Sequence, residues 1–151
     1  MEFEEFEASL TAVRAARESR NLPEGFQLFD LRVASEADLQ HVERELHVSL
    51  PGKYREFMLR HGGGQFLFLD LLPASSGDSY EEDLIRVNGG GLDSSRFIAV
   101  SPVGTGDWWG FSVVDGNCLD QVDFMDHEDG SISFAYPDFL EFLSRKGLQV
   151  E

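Results

Sequence analysis

Five carboxylates, Asp120, Asp123, Asp126, Glu128 and Asp129, crowd around His127 in one short stretch. Oxygen and imidazole donors in such numbers raise metal-assisted hydrolysis as a first thought. The spacing argues against it. Asp126-His127-Glu128-Asp129-Gly130 lacks the alternating ligands and the distal glutamate of a calcium loop, and no second histidine stands at zinc spacing. A solvated acidic edge with no metal is the expectation. General acid–base work by a carboxylate pair is uninformative here, because the candidates are many and a sequence supplies no separation.

Nucleophilic chemistry fares no better. Cys118 sits in an apolar strand pattern just after a turn, where a thiol is a small core residue more often than a nucleophile. No Gly-x-Ser-x-Gly elbow is present, and His41, His47 and His61 fall on helical surfaces or ends. The glycine clusters match no phosphate-binding fingerprint. Gly62–Gly64 follows a helix and reads as its C-cap, and Gly104-Thr105-Gly106-Asp107 reads as a turn leading into a strand. No catalytic residue and no cofactor are therefore expected. Trp108 and Trp109 are adjacent in a strand, so their side chains point to opposite faces. One can enter the core while the other serves as an interface anchor within a polar rim.

The elements that must position these residues come in a simple order. Phe3, Phe6, Leu10 and Val13 line one face of a helix, which the stretch 21–25 breaks, and Phe26 to Leu31 predicts a short extended piece. Ser35 caps a second helix with the stripe Leu39, Val42 and Leu46. Pro51 opens a third helix, buried through Tyr54, Phe57 and Met58 and stopped by Gly62. Strands are predicted at 66–71, 97–100, 108–114 and 118–125, with Asp115-Gly116-Asn117 as a hairpin turn. In the last strand Gln121, Asp123 and Met125 alternate with Val122 and Phe124, which predicts one polar face. The stretch 74–78 reads as a loop, and Tyr80 to Asn88 as helix or irregular chain. Pro137 opens a closing helix ended by Gly147, with Phe139, Phe142 and Leu143 in the core beside Tyr54 and Phe57. Helices followed by a strand meander and a final helix indicate an α+β domain whose antiparallel sheet is flanked by helices.

A chain of 151 residues with 13 Phe and 42% hydrophobic residues suits a single domain, 1–151. No apolar run approaches the roughly 20 residues that span a bilayer. The acidic start, MEFEEFEASL, is unlike a secretory signal, and the lone Cys118 suits a reducing compartment, so a cytoplasmic domain is expected. The net charge is −16, and it is uneven. Residues 61–144 hold 15 acidic side chains against Arg86 and Arg96 alone, and Phe97 to Ser144 holds nine carboxylates with no Lys or Arg. Such a field repels nucleic acid and anionic membrane and attracts a basic protein.

Three segments carry a resemblance. SEADLQHVERELHVSLPGKYREFMLRHGGG at 35–64, FIAVSPVGTGDWWGFSVVD at 97–115 and the closing Phe139–Leu143 helix together resemble the SUKH superfamily, the Smi/Knr family of fungal cell-wall regulators and bacterial immunity proteins. Tyr136-Pro137-Asp138-Phe139 departs from the family's usual Ser-Phe start to that helix. The resemblance spans roughly residues 35 to 146. It implies a non-catalytic α+β protein-binding module, most often an immunity protein that occludes a bacterial toxin, commonly a nuclease. The alternatives are a regulatory scaffold of the fungal kind and a metal-dependent enzyme using the 120–129 carboxylates. The partner surface expected from charge and aromatics comprises Asp107, Trp108, Trp109, Asp123, Asp126, Glu128 and Asp129.

Overall fold

The computed structural model describes residues 1–18, 20, 28–75 and 82–150. The expected break at 21–25, Phe26, part of the 74–78 loop and the start of the 80–88 segment lie outside these residues. The first helix, α1 (Phe3–Glu18), buries Phe6 and Leu10, with Phe3 and Val13 half-buried against the same core. Strand β1 (Phe29–Arg32) follows. The second helix, α2 (Glu36–Leu46), starts at a reciprocal capping box. The Ser35 hydroxyl accepts the Asp38 amide at 3.0 Å, and the Asp38 carboxylate accepts the Ser35 amide at 3.0 Å. Pro51 is the N-cap of α3 (Gly52–Arg60), which buries Tyr54, Phe57 and Met58.

Gly62 stops α3 with φ +89°, and a side chain there would strike the Arg32 carbonyl oxygen, 1.7 Å from the added carbon. Gly63 and Gly64 do not extend this cap, as expected from sequence, but open strand β2 (Gly63–Phe66) against β1. The expected single strand at 66–71 is also corrected. The chain turns at Leu67, φ 54°, and returns as β3 (Leu69–Leu71), antiparallel to β2. A left-handed leucine costs about 1–2 kcal/mol. Burial of its side chain to 3% exposure offsets that, and the turn leaves Phe68 72% exposed.

Asp83 caps a short helix, α4 (Leu84–Asn88), by accepting the Arg86 amide at 2.9 Å. The Asn88 side chain ties this helix to the sheet, accepting the Ala99 amide at 2.7 Å and donating to the Ala99 carbonyl at 2.9 Å. The larger sheet contains β4 (Phe97–Pro102), β5 (Trp108–Val114), β6 (Asn117–Cys118), β7 (Val122–Met125) and β8 (Ile132–Tyr136). Its order is β4-β5-β7-β8, with β6 paired to β5 across the Asp115-Gly116 turn. All pairs are antiparallel. The smaller sheet meets it where the Leu72 amide donates to the Val100 carbonyl at 2.9 Å. The expected 118–125 strand is interrupted at 119–121, and β8 was not anticipated.

Asp138 caps the closing helix, α5 (Phe139–Phe142), which continues as a π-helical turn over Leu143–Gly147. Phe57, Phe139 and Phe142 are fully or nearly fully buried, and Tyr54 packs edge-on against Phe111 and Phe139 at 5.1 and 4.9 Å. Among the described residues no helix is long and apolar enough to cross a membrane. The antiparallel α+β architecture stands as expected.

Candidate protein-interaction surface

The hairpin connections β4–β5 and β7–β8 leave the larger sheet at one end, because Trp108 of β5 pairs with Met125 of β7. In the first loop the Val103 amide donates to the Asp107 carbonyl at 3.0 Å, and the Thr105 hydroxyl donates to the Asp107 carboxylate at 2.7 Å. In the second the Asp126 amide donates to the Ser131 carbonyl at 2.9 Å, and the Gly130 amide to the Asp126 carbonyl at 2.8 Å. The Asp126 and Asp129 carboxylates accept the Glu128 and Ser131 amides, each at 2.8 Å. These local bonds satisfy the backbone of a tight acidic turn, as Asp does routinely in loops.

The two loops are tied to each other. The Asp107 carboxylate accepts the His127 backbone amide at 2.9 Å and lies 2.7 Å from His127 Nδ1. Gly106, at φ +98°, permits this approach, since a β-carbon there would come within 3.1 Å of the imidazole. The His127 backbone amide is the largest influence holding the Asp107 carboxyl down at about 2, followed by the imidazole and Thr105. The hydrogen bond to Asp107 raises the His127 imidazole above its usual value, helped by the nearby Glu128 and Asp126 charges. Arg96, just before β4, donates to the Gly130 carbonyl at 2.9 Å and ties the second loop to the chain entering the sheet.

The structure therefore gathers Asp107, Asp126, Glu128 and Asp129 at one end of the sheet. It removes Asp123 from that set. Asp123 is 1% exposed, accepts the Ser112 hydroxyl, and accepts the Gln121 amide group at 2.9 Å. The expectation of an exposed polar face along 121–125 is corrected, because Met125 is buried as well and only Gln121 stays half-open. Alternation was read correctly, but the second face is partly covered by residues near α4, which the sequence did not reveal. Trp108 and Trp109 do take opposite faces, and both are half-buried. Trp109 packs on Phe124, Tyr136 and Phe142 at 5.1, 6.0 and 5.6 Å. Trp108 packs beside the Phe97, Ala99 and Met125 cluster. Neither is a fully exposed anchor.

The nine carboxylates between Phe97 and Ser144 are not all without positive partners. Asp138 pairs with the Met1 ammonium at 2.7 Å and Lys53 at 3.1 Å, and Glu141 pairs with Arg145 at 2.9 Å. Asp120 lies apart from the loops, beside Lys53 and Asp138 in a groove of about 370 Å³. The 120–129 carboxylates thus occupy three separate places, so they do not form one catalytic constellation. Asp107, Asp126 and His127 do present ligand atoms within 4.8 Å of one another. The Asp107 oxygens are already engaged by Thr105 and His127, which is the chemistry of a loop staple. Cys118 is two residues past the hairpin turn, and burial pushes its thiol up to about 12, far from a nucleophile's range.

Sequence reasoning missed Arg96 and the whole of β8, including Phe134, which is 62% exposed. The alternation Ile132, Phe134, Tyr136 was the available signal. No curated protein matches the chain. The family model described as SMI1-KNR4 cell-wall (SUKH_6) matches residues 36–143. That match runs from the first residue of α2 to the first of the π-helical turn and takes in the larger sheet with both tied loops. With the helix order and antiparallel sheets already in place, the chain belongs to the SUKH superfamily, whose domains are protein-interaction modules.

Proposed function

We propose that this chain is an immunity protein that neutralises a bacterial toxin by covering a basic active-site cleft, that of a nuclease. The observation that supports this reading is the grouping of Asp107, Asp126, Glu128 and Asp129 on two loops tied at one sheet end, with Arg96 as the neighbouring cation. A cleft built to hold a phosphate backbone is cationic, and a preformed anionic surface competes for it without any chemistry of its own. Electrostatic attraction raises the association rate, and packed side chains at the loop base, Trp108 and Trp109 among them, lengthen residence. The same charge disfavours nucleic acid and anionic membrane as partners, and the immunity role belongs in the cytoplasm.

The test has a genetic and a kinetic arm. The first asks whether the adjacent gene encodes a protein with a variable C-terminal toxin domain, and whether co-expression of this chain restores growth to cells making that domain. In the second, the Asp126→Asn, Glu128→Gln, Asp129→Asn variant should associate more slowly and with a shallower salt dependence. An unchanged rate at low salt removes electrostatic docking. A second reading, a regulatory scaffold acting on endogenous partners, is favoured by the cell-wall description of the matching family. Failure to restore growth, together with capture of a host regulator in place of a toxin domain, would select it.

A further inference from the structure

Strand β8 is one margin of the larger sheet. It pairs with β7, and among the described residues no strand occupies its other side. The opposite margin is occupied, because β4 bonds onward to the chain after β3, and the Ser101 hydroxyl donates to the Asp70 carbonyl at 2.6 Å. A bare edge presents unpaired amide and carbonyl groups, and proteins blunt it with charge, proline, short strands or bulges. Ile132-Ser133-Phe134-Ala135-Tyr136 contains no charge and no proline, and its one bulge falls at Ala135, past Phe134.

The register shift between Val122 and Asp123 leaves Ala135 as an extra residue on β8, and such a bulge rotates the side chains around it. Tyr136 consequently turns inward onto Phe142 at 5.5 Å, while Phe134 stays 62% exposed. Charge is polarised along this edge. Asp126, Glu128 and Asp129 stand at its start, and Arg145 lines a groove of about 420 Å³ with Tyr136 at its end.

We propose that β8 is a docking edge that accepts an extended, cationic segment of a protein partner as an added strand. The segment's basic end lies against the 126–129 turn, and an apolar side chain covers Phe134. Main-chain bonds supply affinity in such strand addition, and alternate side chains supply specificity. This deepens the proposed reading by giving the basic partner a strand and a register. It rests on that reading, and the experiment separates the two.

The probe is a short synthetic peptide alternating lysine and valine, titrated into the full chain and followed by amide hydrogen exchange and calorimetry. Binding should slow exchange within 132–136 by about tenfold or more. Phe134→Lys, at an exposed position that leaves the fold intact, should weaken binding by about tenfold. A glutamate–valine peptide should not bind. Protection confined to 126–131, with Phe134→Lys binding as well as the wild type, would overturn strand addition and leave the acidic surface standing. Absence of cationic peptide binding at any salt concentration would overturn strand addition, while growth rescue by the chain decides the immunity reading separately. Protection of 132–136 that grows with protein concentration alone would assign the edge to a second copy and overturn a foreign strand.

Discussion

Along β4, Ile98 and Val100 enter the main core with Phe111, Val113 and Val122, whereas Phe97 and Ala99 enter a separate small cluster with Met125. The two faces of one sheet therefore have different neighbours. Against the first lie α3 and α5, with Tyr54 and Phe57 edge-on to Phe139, and Phe142 tilted against it. Against the second lie Val87, Leu92 and Ile132, packed at its margin, and there the chain places its buried Asp123 and its exposed Phe134. Complete helical cover makes a face a matter of stability alone. Partial cover leaves room for polar groups and for a partner.

That contrast is broken most severely by emptying the first face. Phe57→Ala removes a ring in contact with Phe6, Phe66 and Phe139. It should cost about 3–5 kcal/mol in denaturant unfolding, a large share of a small domain's stability. A loss under about 1 kcal/mol would mean that the helices do not seal this face.

Asp123→Ala probes the second face. It strips the Ser112 hydroxyl and the Gln121 amide of their common acceptor and should destabilise by about 1–3 kcal/mol. A urea midpoint that does not move would show that water already serves both groups there.

Tyr54→Phe is smaller and has the opposite sign. Among the described residues the Tyr54 hydroxyl has no hydrogen-bond partner, and burial drives its pKa strongly upward. Removing it should leave stability unchanged or raise it by about 1 kcal/mol. A clear loss would reveal a polar group inside the aromatic core.

The loop tie should show mainly as a pH dependence. Asp107 falls from 3.8 in the unfolded chain to about 2, so its contribution is present above about pH 4 and is lost as pH falls toward 2. The His127 pKa is raised, so its contribution is present below about 6.5 and is lost as pH rises through the folded value. The loops should be held most firmly between about pH 4 and 6.5, read as slowest exchange of the His127 amide relative to the intrinsic rate. His127→Gln should remove the alkaline limb and keep the acid one, whose source is chiefly the backbone amide. A flat profile in the wild type would show that the loops are independent.

Much of the first face was legible because its signals are local. Phe6 and Leu10, Leu39 and Val42, and Tyr54 and Phe57 recur at helical spacing, and Ser35 caps a helix by bonding three residues ahead. The closing helix is capped by Asp138 and does not start at Pro137 as the sequence suggests. The second face was not legible in the same way. Asp123 reads as a surface residue in any alternating strand, and its burial depends on Ser112 and Gln121 standing beside it. The run Phe66–Leu71 reads as one strand, because a left-handed leucine has no composition signal.

What the sequence determined by itself was the first three helices and the closing one, the Asp115-Gly116 turn, the antiparallel α+β class, the excess negative charge and the kinship of three segments. Each follows from periodicity, capping or composition, which act over a few residues. Only the tertiary structure decided that Asp107 meets His127 twenty residues away, that Asp138 is shared by Met1 and Lys53, and that β8 has no strand beyond it among the described residues. Those outcomes depend on strand order and register, and these are settled by which faces can be buried together and not by any one segment's preference.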